Sequence, residues 1–299
     1  MDIIYRFNPY EPVECTTFKS AEEALSHLRE GHGRYHEIID GLRDRVYGAP
    51  SENIVIPTSL TSRGVSMVPG ISLAQRPFAV VVSCSDARVP LEEIFQVSAN
   101  SVFVVRVAGQ AMGTEVLGSI LYALLNFEDS IRLIIVLGHT ECGAVTAAVQ
   151  SLSKTQSAPS TIPPSIGSIV NRIQPSVKIC GCTPGQNVGT PHSQEALVEA
   201  SCFVHAAKVA MELRSELGLA EQSLPQVVYG VYDLRTSQIR SRPAPHTGSS
   251  RNDFLAEAPH SDAALNALAL DVVRDANAAF DAPEAEPEQS CTTVGAAVQ

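Results

Sequence analysis

Basic charge is scarce in this chain: 21 Lys and Arg stand against 32 Asp and Glu, a formal net charge of −11. Without a basic patch to neutralise phosphates, the balance argues against a nucleic-acid-binding role. Long apolar runs are missing as well, since none approaches the roughly 20 residues a membrane-spanning helix needs. The opening MDIIYRFNPYEP has no basic region followed by an apolar core, so no secretory leader is expected and the cytoplasm is the expected compartment. Tryptophan is absent altogether. Cysteines number seven (Cys15, Cys84, Cys142, Cys180, Cys182, Cys202 and Cys291), and an odd count without a leader argues against a disulfide framework. The question becomes which of them bind metal.

What is present is the composition of an ordinary soluble protein, 44% hydrophobic and 18% charged over 299 residues. That length suffices for one large α/β domain or two small ones. The acidity is uneven. Residues 241–299 hold three Arg and nine acidic residues, a net of −6, which leaves the body only mildly acidic.

Periodicity gives the organisation. Residues 21–46 read as helical, with Leu25, Leu28, Tyr35, Ile38, Ile39 and Leu42 at three- and four-residue steps, and Gly31–Gly33 predict a break into two helices. Residues 47–73 read as a long connection. The runs 77–84, 101–109 and 131–139 are short, apolar and β-branched, as strands buried on both faces require, and 226–234 is a fourth. Helices are predicted at 114–127 and from 142 to 152. Strands alternating with helices define an α/β class, with a mostly parallel sheet flanked by helices. Residues 153–200 are rich in Ser, Thr, Pro and Gly around a helical pattern at 163–177. The chain thus divides into a body, 1–240, with its core at 75–240, and an acidic Ala/Pro-rich tail, 241–299, expected to be largely disordered. Within the tail, Leu265, Leu268, Val272, Ala276 and Phe280 predict one amphipathic helix near 262–280, with an apolar stripe that could dock on the body or on a partner.

Two strand ends concentrate chemistry. The first carries Cys84-Ser85-Asp86-Ala87-Arg88 and the third Gly138-His139-Thr140-Glu141-Cys142-Gly143. Open α/β sheets build sites at the carboxyl ends of strands. Two thiolates and an imidazole suit zinc, and three protein ligands leave a position for water, as in catalytic sites. A lone cysteine at a strand end is more often a small buried hydrophobe. The joint pattern supports a metal site; it does not name a reaction. Cys180 and Cys182 read as an inert, solvent-facing loop pair, and His36 and His205 as surface or packing residues.

The two motifs, about 55 residues apart, resemble the signature of the beta carbonic anhydrases. Leu28–Tyr35 is similar to the family's N-terminal helical motif, residues 228–239 to its last strand, and Phe103 with Arg106-Val107-Ala108-Gly109 to the segment between the metal motifs. The resemblance spans about residues 21–240. It implies one zinc per chain on Cys84, His139 and Cys142, and reversible hydration of carbon dioxide to bicarbonate and a proton. Asp86 would accept a hydrogen bond from zinc-bound hydroxide, and Arg88 would hold Asp86 ionised and aimed. Gln75 would donate to substrate, Phe103 and Tyr122 would line the pocket, partly across a subunit boundary, and Gly143 would allow close backbone approach. A homodimer or larger homo-oligomer is implied.

In some members the aspartate is a fourth ligand in a closed form. Bicarbonate-linked closure there uses a tryptophan, which this chain lacks, and Arg106 cannot form that element alone. Val107 and Gln110 depart from an Asn-containing family pattern. Two alternatives stay open: hydrolysis of carbon disulfide or carbonyl sulfide on the same zinc, and a non-catalytic zinc-bearing scaffold.

Overall fold

A computed structural model of the chain describes residues 2–7, 17–48, 53–153, 162–181, 191–220, 223–243 and 254–281. Strand β1, Ile3–Phe7, pairs in parallel with β2, Ile54–Thr58, as a small separate sheet. Between them runs α1, Ala21–Val46. Its start is set chemically: Ser20 Oγ accepts the Glu23 N–H, and the Glu23 carboxylate accepts the Lys19 N–H.

The break expected at Gly31–Gly33 does not occur, and α1 is one helix. Tertiary packing outweighs the roughly 1 kcal/mol that glycine costs a helix. A Cβ on Gly31 would sit 2.0 Å from the Phe95 carbonyl oxygen, so the missing side chain lets α1 lie against the short helix α2, Leu91–Ile94. His32 pins the same turn. Its Nδ1–H donates to Ile94 O at 3.0 Å, and its Nε2 accepts the Ile239 N–H at 3.0 Å.

The main sheet is built from β3 (Ala79–Ser83), β4 (Val102–Arg106), β5 (Leu133–His139) and β6 (Gln226–Tyr232), parallel in the order β4-β3-β5-β6. Two short antiparallel strands, β7 (Ile239–Arg240) and β8 (Ala256–Glu257), share the outer edge of β6. Alternation sends side chains to both faces. Val80, Val82, Ile134 and Val136 join the core under α4 (Gly143–Ser153), α5 (Pro164–Gly181), α6 (Pro191–Glu216) and α7 (Asp262–Asp281). Val81, Leu133 and Ile135 join the core under α1 and α2. Helix α3, Thr114–Asn126, follows the edge strand β4. The architecture is the α/β sheet with flanking helices that the sequence predicts. Among the described residues, no helix is long and apolar enough to cross a membrane.

Three further stretches differ from expectation. Residues 47–73, expected as a connection, contain β2. Residues 153–200 contain α5 and the start of α6, which escaped periodicity because it is buried all round: Cys202, Phe203, Val204, His205, Ala206 and Ala207 are buried at consecutive positions. Of the 241–299 tail, residues 241–243 and 254–281 are described, and 254–281 belong to the same fold. Leu265, Ala269, Val272, Val273 and Ala276 are buried in the core that α6 also forms, and Arg214 of α6 donates to Ala258 O and Pro259 O. Of the two surfaces expected for the stripe, it is therefore the body that covers it, and docking on a partner loses its basis. Cys180, expected in a solvent-facing loop, lies fully buried in α5; Cys182 lies outside the described residues.

Candidate metal centre

The parallel pairing of β3 with β5 sets Ser83 opposite Leu137, so the residues that leave both strands emerge side by side. Ser83 Oγ donates to Leu137 O at 2.8 Å and ties the two ends together. Cys84 follows β3 directly and His139 closes β5. Glu141 then takes a left-handed conformation, φ 56°, and turns the chain so that Cys142 stands immediately before α4. The Cys142 carbonyl accepts the Thr146 N–H at 2.9 Å, in the first turn of that helix. The ligating atoms of Cys84, His139 and Cys142 all lie within 4.8 Å of one another, and all three residues are buried.

The donor set fits zinc. His139 Nδ1 meets Thr140 O at 2.7 Å, and because a carbonyl only accepts, Nδ1 carries the proton. Nε2 is then a bare lone pair, buried and without a hydrogen-bond partner. The hydrogen bond from Cys142 pulls the Cys84 thiol well below its usual range, opposed by burial and helped by His139 and the Gly109 N–H. The same bond and burial push Cys142 up. With both thiols deprotonated, the adjacent sulfurs would need a cation between them, and a soft sulfur pair with one imidazole suits zinc.

Asp86 and Arg88 stand beside this cluster. Arg88 Nε donates to Asp86 Oδ1 at 3.0 Å and Nη2 to Oδ2 at 2.9 Å, while the Arg88 backbone N–H reaches Oδ1 at 2.9 Å. These bonds, Arg88's side chain first, hold the Asp86 carboxyl well below the usual range. Oδ2 lies 3.7 Å from His139 Nε2, so the carboxylate faces the cluster. Arg106, at the end of β4, clamps the loop from the other side, donating to Cys84 O at 2.8 Å and to Asp86 O.

The other site residues predicted from sequence lie further out. Gln75 is exposed ahead of β3. Phe103 is half-buried on β4, with ring centroids 6.4 Å from Tyr122 and 6.2 Å from Phe127. Tyr122, on α3, is 54% exposed. Gly143 opens α4 with free space where a Cβ would stand. At the departures from the family pattern, Val107 N–H bonds Ser83 O, and the buried Gln110 places its amide 3.0 Å from where a Gly138 Cβ would be.

Sequence reasoning missed the groups behind the site. His205, expected as a surface or packing residue, is buried and bonded through both ring nitrogens. Glu199 and Arg235 line a cavity with Glu141 and Phe280, and Arg235 reaches Glu199 at 3.6 Å and Glu141 at 3.9 Å. His205 and Glu199 carry no motif; the packing of α6 against β5 and β6 brings them near.

The family model described as carbonic anhydrase matches residues 79–239, more than half of the chain. The chain belongs to this family, in its beta class. It is 40% identical over 116 residues to the carbonic anhydrase of Mycolicibacterium smegmatis, covering 39% of this chain and 53% of that protein. Carbonic anhydrase 2 of Mycobacterium tuberculosis is 39% identical over 117 residues, again 39% of this chain and 53% of the relative. The chain thus spans about half the length of the curated relatives it matches. Among solved structures, that of the beta-carbonic anhydrase CcaA is 21% identical with a TM-score of 0.44, covering 56% of this chain and 80% of its own.

Proposed function

We propose that this chain reversibly hydrates carbon dioxide to bicarbonate and a proton, using one zinc held by Cys84, His139 and Cys142. The observation that carries this reading is the buried pair of thiols with an unpartnered imidazole nitrogen, flanked by an anchored carboxylate, in a member of this family. Zinc bound there supplies a water that loses its proton near neutral pH.

The chain's own residues direct the chemistry. Asp86, kept ionised by Arg88, can only accept a hydrogen bond. An oxygen nucleophile beside Oδ2 must donate its hydrogen there, which turns a lone pair toward the carbon of the substrate. Arg88 fixes the carboxylate plane with two parallel bonds, and Arg106 fixes the backbone that carries it. Phe103 and Tyr122 provide an apolar wall, and the Gln75 amide a donor for a substrate oxygen.

Gln75 and Tyr122 are open to solvent in the single chain, with Leu121 and Leu125 exposed beside Tyr122. That arrangement supports a homodimer or larger assembly in which a second copy closes the pocket. Thiol ligands of this kind also suit a reducing compartment, in keeping with the cytoplasm.

Stopped-flow assays of the zinc-loaded full chain on carbon dioxide and on carbon disulfide test the reading. Zinc-dependent carbon dioxide hydration that falls at least about tenfold in Asp86→Asn, with zinc retained, is expected. Turnover of carbon disulfide alone, or equal background rates in both proteins, would overturn it in favour of a sulfur hydrolase or a scaffold.

A further inference from the structure

The turn Ala108–Gln110 delivers a backbone donor to the metal cluster: the Gly109 N–H points at Cys84 Sγ, 3.2 Å away. A donor to a ligating sulfur tunes and orients the ligand only if its own position is fixed. The near side of the turn is fixed by Val107 N–H on Ser83 O, 3.1 Å, and by Gln110 N–H on Val107 O, 2.9 Å. The far side rests on three helices. Gly109 has φ 62°, and a Cβ there would lie 2.7 Å from Ile173 Cδ1 of α5 and 2.9 Å from Ala144 Cβ of α4.

The third helix, α6, contributes His205, which is 1% exposed. Its Nε2 lies 2.9 Å from Gly109 O, and since a carbonyl only accepts, Nε2 carries the proton. Nδ1 lies 3.0 Å from Ser176 Oγ of α5. Burial holds the ring pKa at about 4, with the Gly109 bond opposing, so the ring is neutral and Nδ1 accepts the serine hydroxyl. One tautomer satisfies both bonds. The chain of contacts therefore runs from Ser176 through His205 to the Gly109 peptide groups and on to Cys84.

We propose that His205 is a positioning residue for the metal centre, holding the Gly109 turn so that its N–H stays directed at the Cys84 sulfur. The inference rests on the metal-site part of the proposed function and not on its substrate. A residue that merely fills core volume would be replaceable by any side chain of similar size. A positioning residue would not.

The full chain carrying His205→Leu, His205→Gln or Ser176→Ala separates the two. Zinc affinity is read by competition with a chromogenic chelator, and sulfur–metal geometry by the thiolate-to-metal charge-transfer band after cobalt replaces zinc. Thermal unfolding of each variant is recorded alongside. His205→Leu keeps volume without a donor and is expected to weaken zinc about tenfold, the low end for an outer-shell change, and to alter the cobalt band. His205→Gln, whose amide N–H reaches Gly109 O, is expected to stay within about threefold of wild type, and Ser176→Ala to fall between them. Should His205→Leu not fold, His205→Asn, too short to reach the carbonyl, takes its place. Wild-type affinity and band in the donor-free variant would overturn the proposal, and so would equal losses in the leucine and glutamine variants. If wild type binds zinc as expected yet hydrates no carbon dioxide, the proposed function fails while the His205 result still stands or falls by itself.

Discussion

Arg88 grips Asp86 by both carboxylate oxygens, Nε to Oδ1 at 3.0 Å and Nη2 to Oδ2 at 2.9 Å, while Oδ2 looks toward His139 Nε2. The two residues are separated by only one position, so the grip is local and does not depend on a distant element. Its planar, two-pronged form is something a guanidinium supplies and an ammonium does not.

Arg88→Lys is accordingly expected to lower carbon dioxide hydration roughly 10- to 100-fold with zinc content unchanged, since the ligands are untouched. Metal analysis alongside stopped-flow rates checks this. Wild-type rates in the lysine variant would show that the two-pronged contact is dispensable.

Glu199 makes a pH-dependent contribution to stability. Its side chain is 10% exposed, and burial raises its pKa from 4.5 to about 7, with Arg235 only partly opposing and Asp233 and Glu141 adding to the rise. The folded chain then keeps a proton that the unfolded chain releases. The contribution is favourable below pH 4.5 and is lost as pH rises from there to about 7. Glu199→Gln should remove that slope and leave the protein about 1–3 kcal/mol more stable than wild type above pH 7. Urea unfolding at pH 5 and pH 8 measures it; an unchanged pH dependence would contradict the assignment.

Gly31 permits a close approach of α1 to Phe95, which caps α2. Gly31→Ala would gain roughly 1 kcal/mol of helix propensity. Against this, a methyl at 2.0 Å from the Phe95 carbonyl oxygen must push the helices apart. A net loss of about 1–3 kcal/mol is expected, visible as a lower urea midpoint. A higher midpoint would mean that the approach is looser than described.

Zinc should also stabilise the fold, because its ligands join the ends of β3 and β5 to the start of α4. At free zinc 100 times the dissociation constant the gain is about 2.7 kcal/mol. Chelation should lower the melting temperature of wild type and leave that of Cys142→Ser unchanged. Identical responses in the two proteins would contradict a role for Cys142 as ligand.

The sequence made the sheet and the site motifs legible for a physical reason. Each central strand is a dense β-branched run, and the site residues sit within a few positions of a strand end, so local pattern and tertiary position coincide. The elements that escaped notice lack such coincidence. Helix α6 is buried on several faces and shows no stripe; β2 contains Pro57 and lies in a Ser- and Pro-rich stretch; β8 is two residues long. Helix α7 was visible as a stripe, but which surface would cover it was not. His205 and Glu199 were beyond reach for the same cause: a lone titratable residue has no meaning until the partners that bury it are known.

X-ray absorption at the zinc edge of the purified full chain tests the central claim most directly. The account predicts one zinc per chain with two sulfur scatterers at about 2.3 Å and lighter nitrogen or oxygen atoms near 2.0–2.1 Å. A protein that retains no zinc, or a zinc shell without two sulfurs, would contradict it.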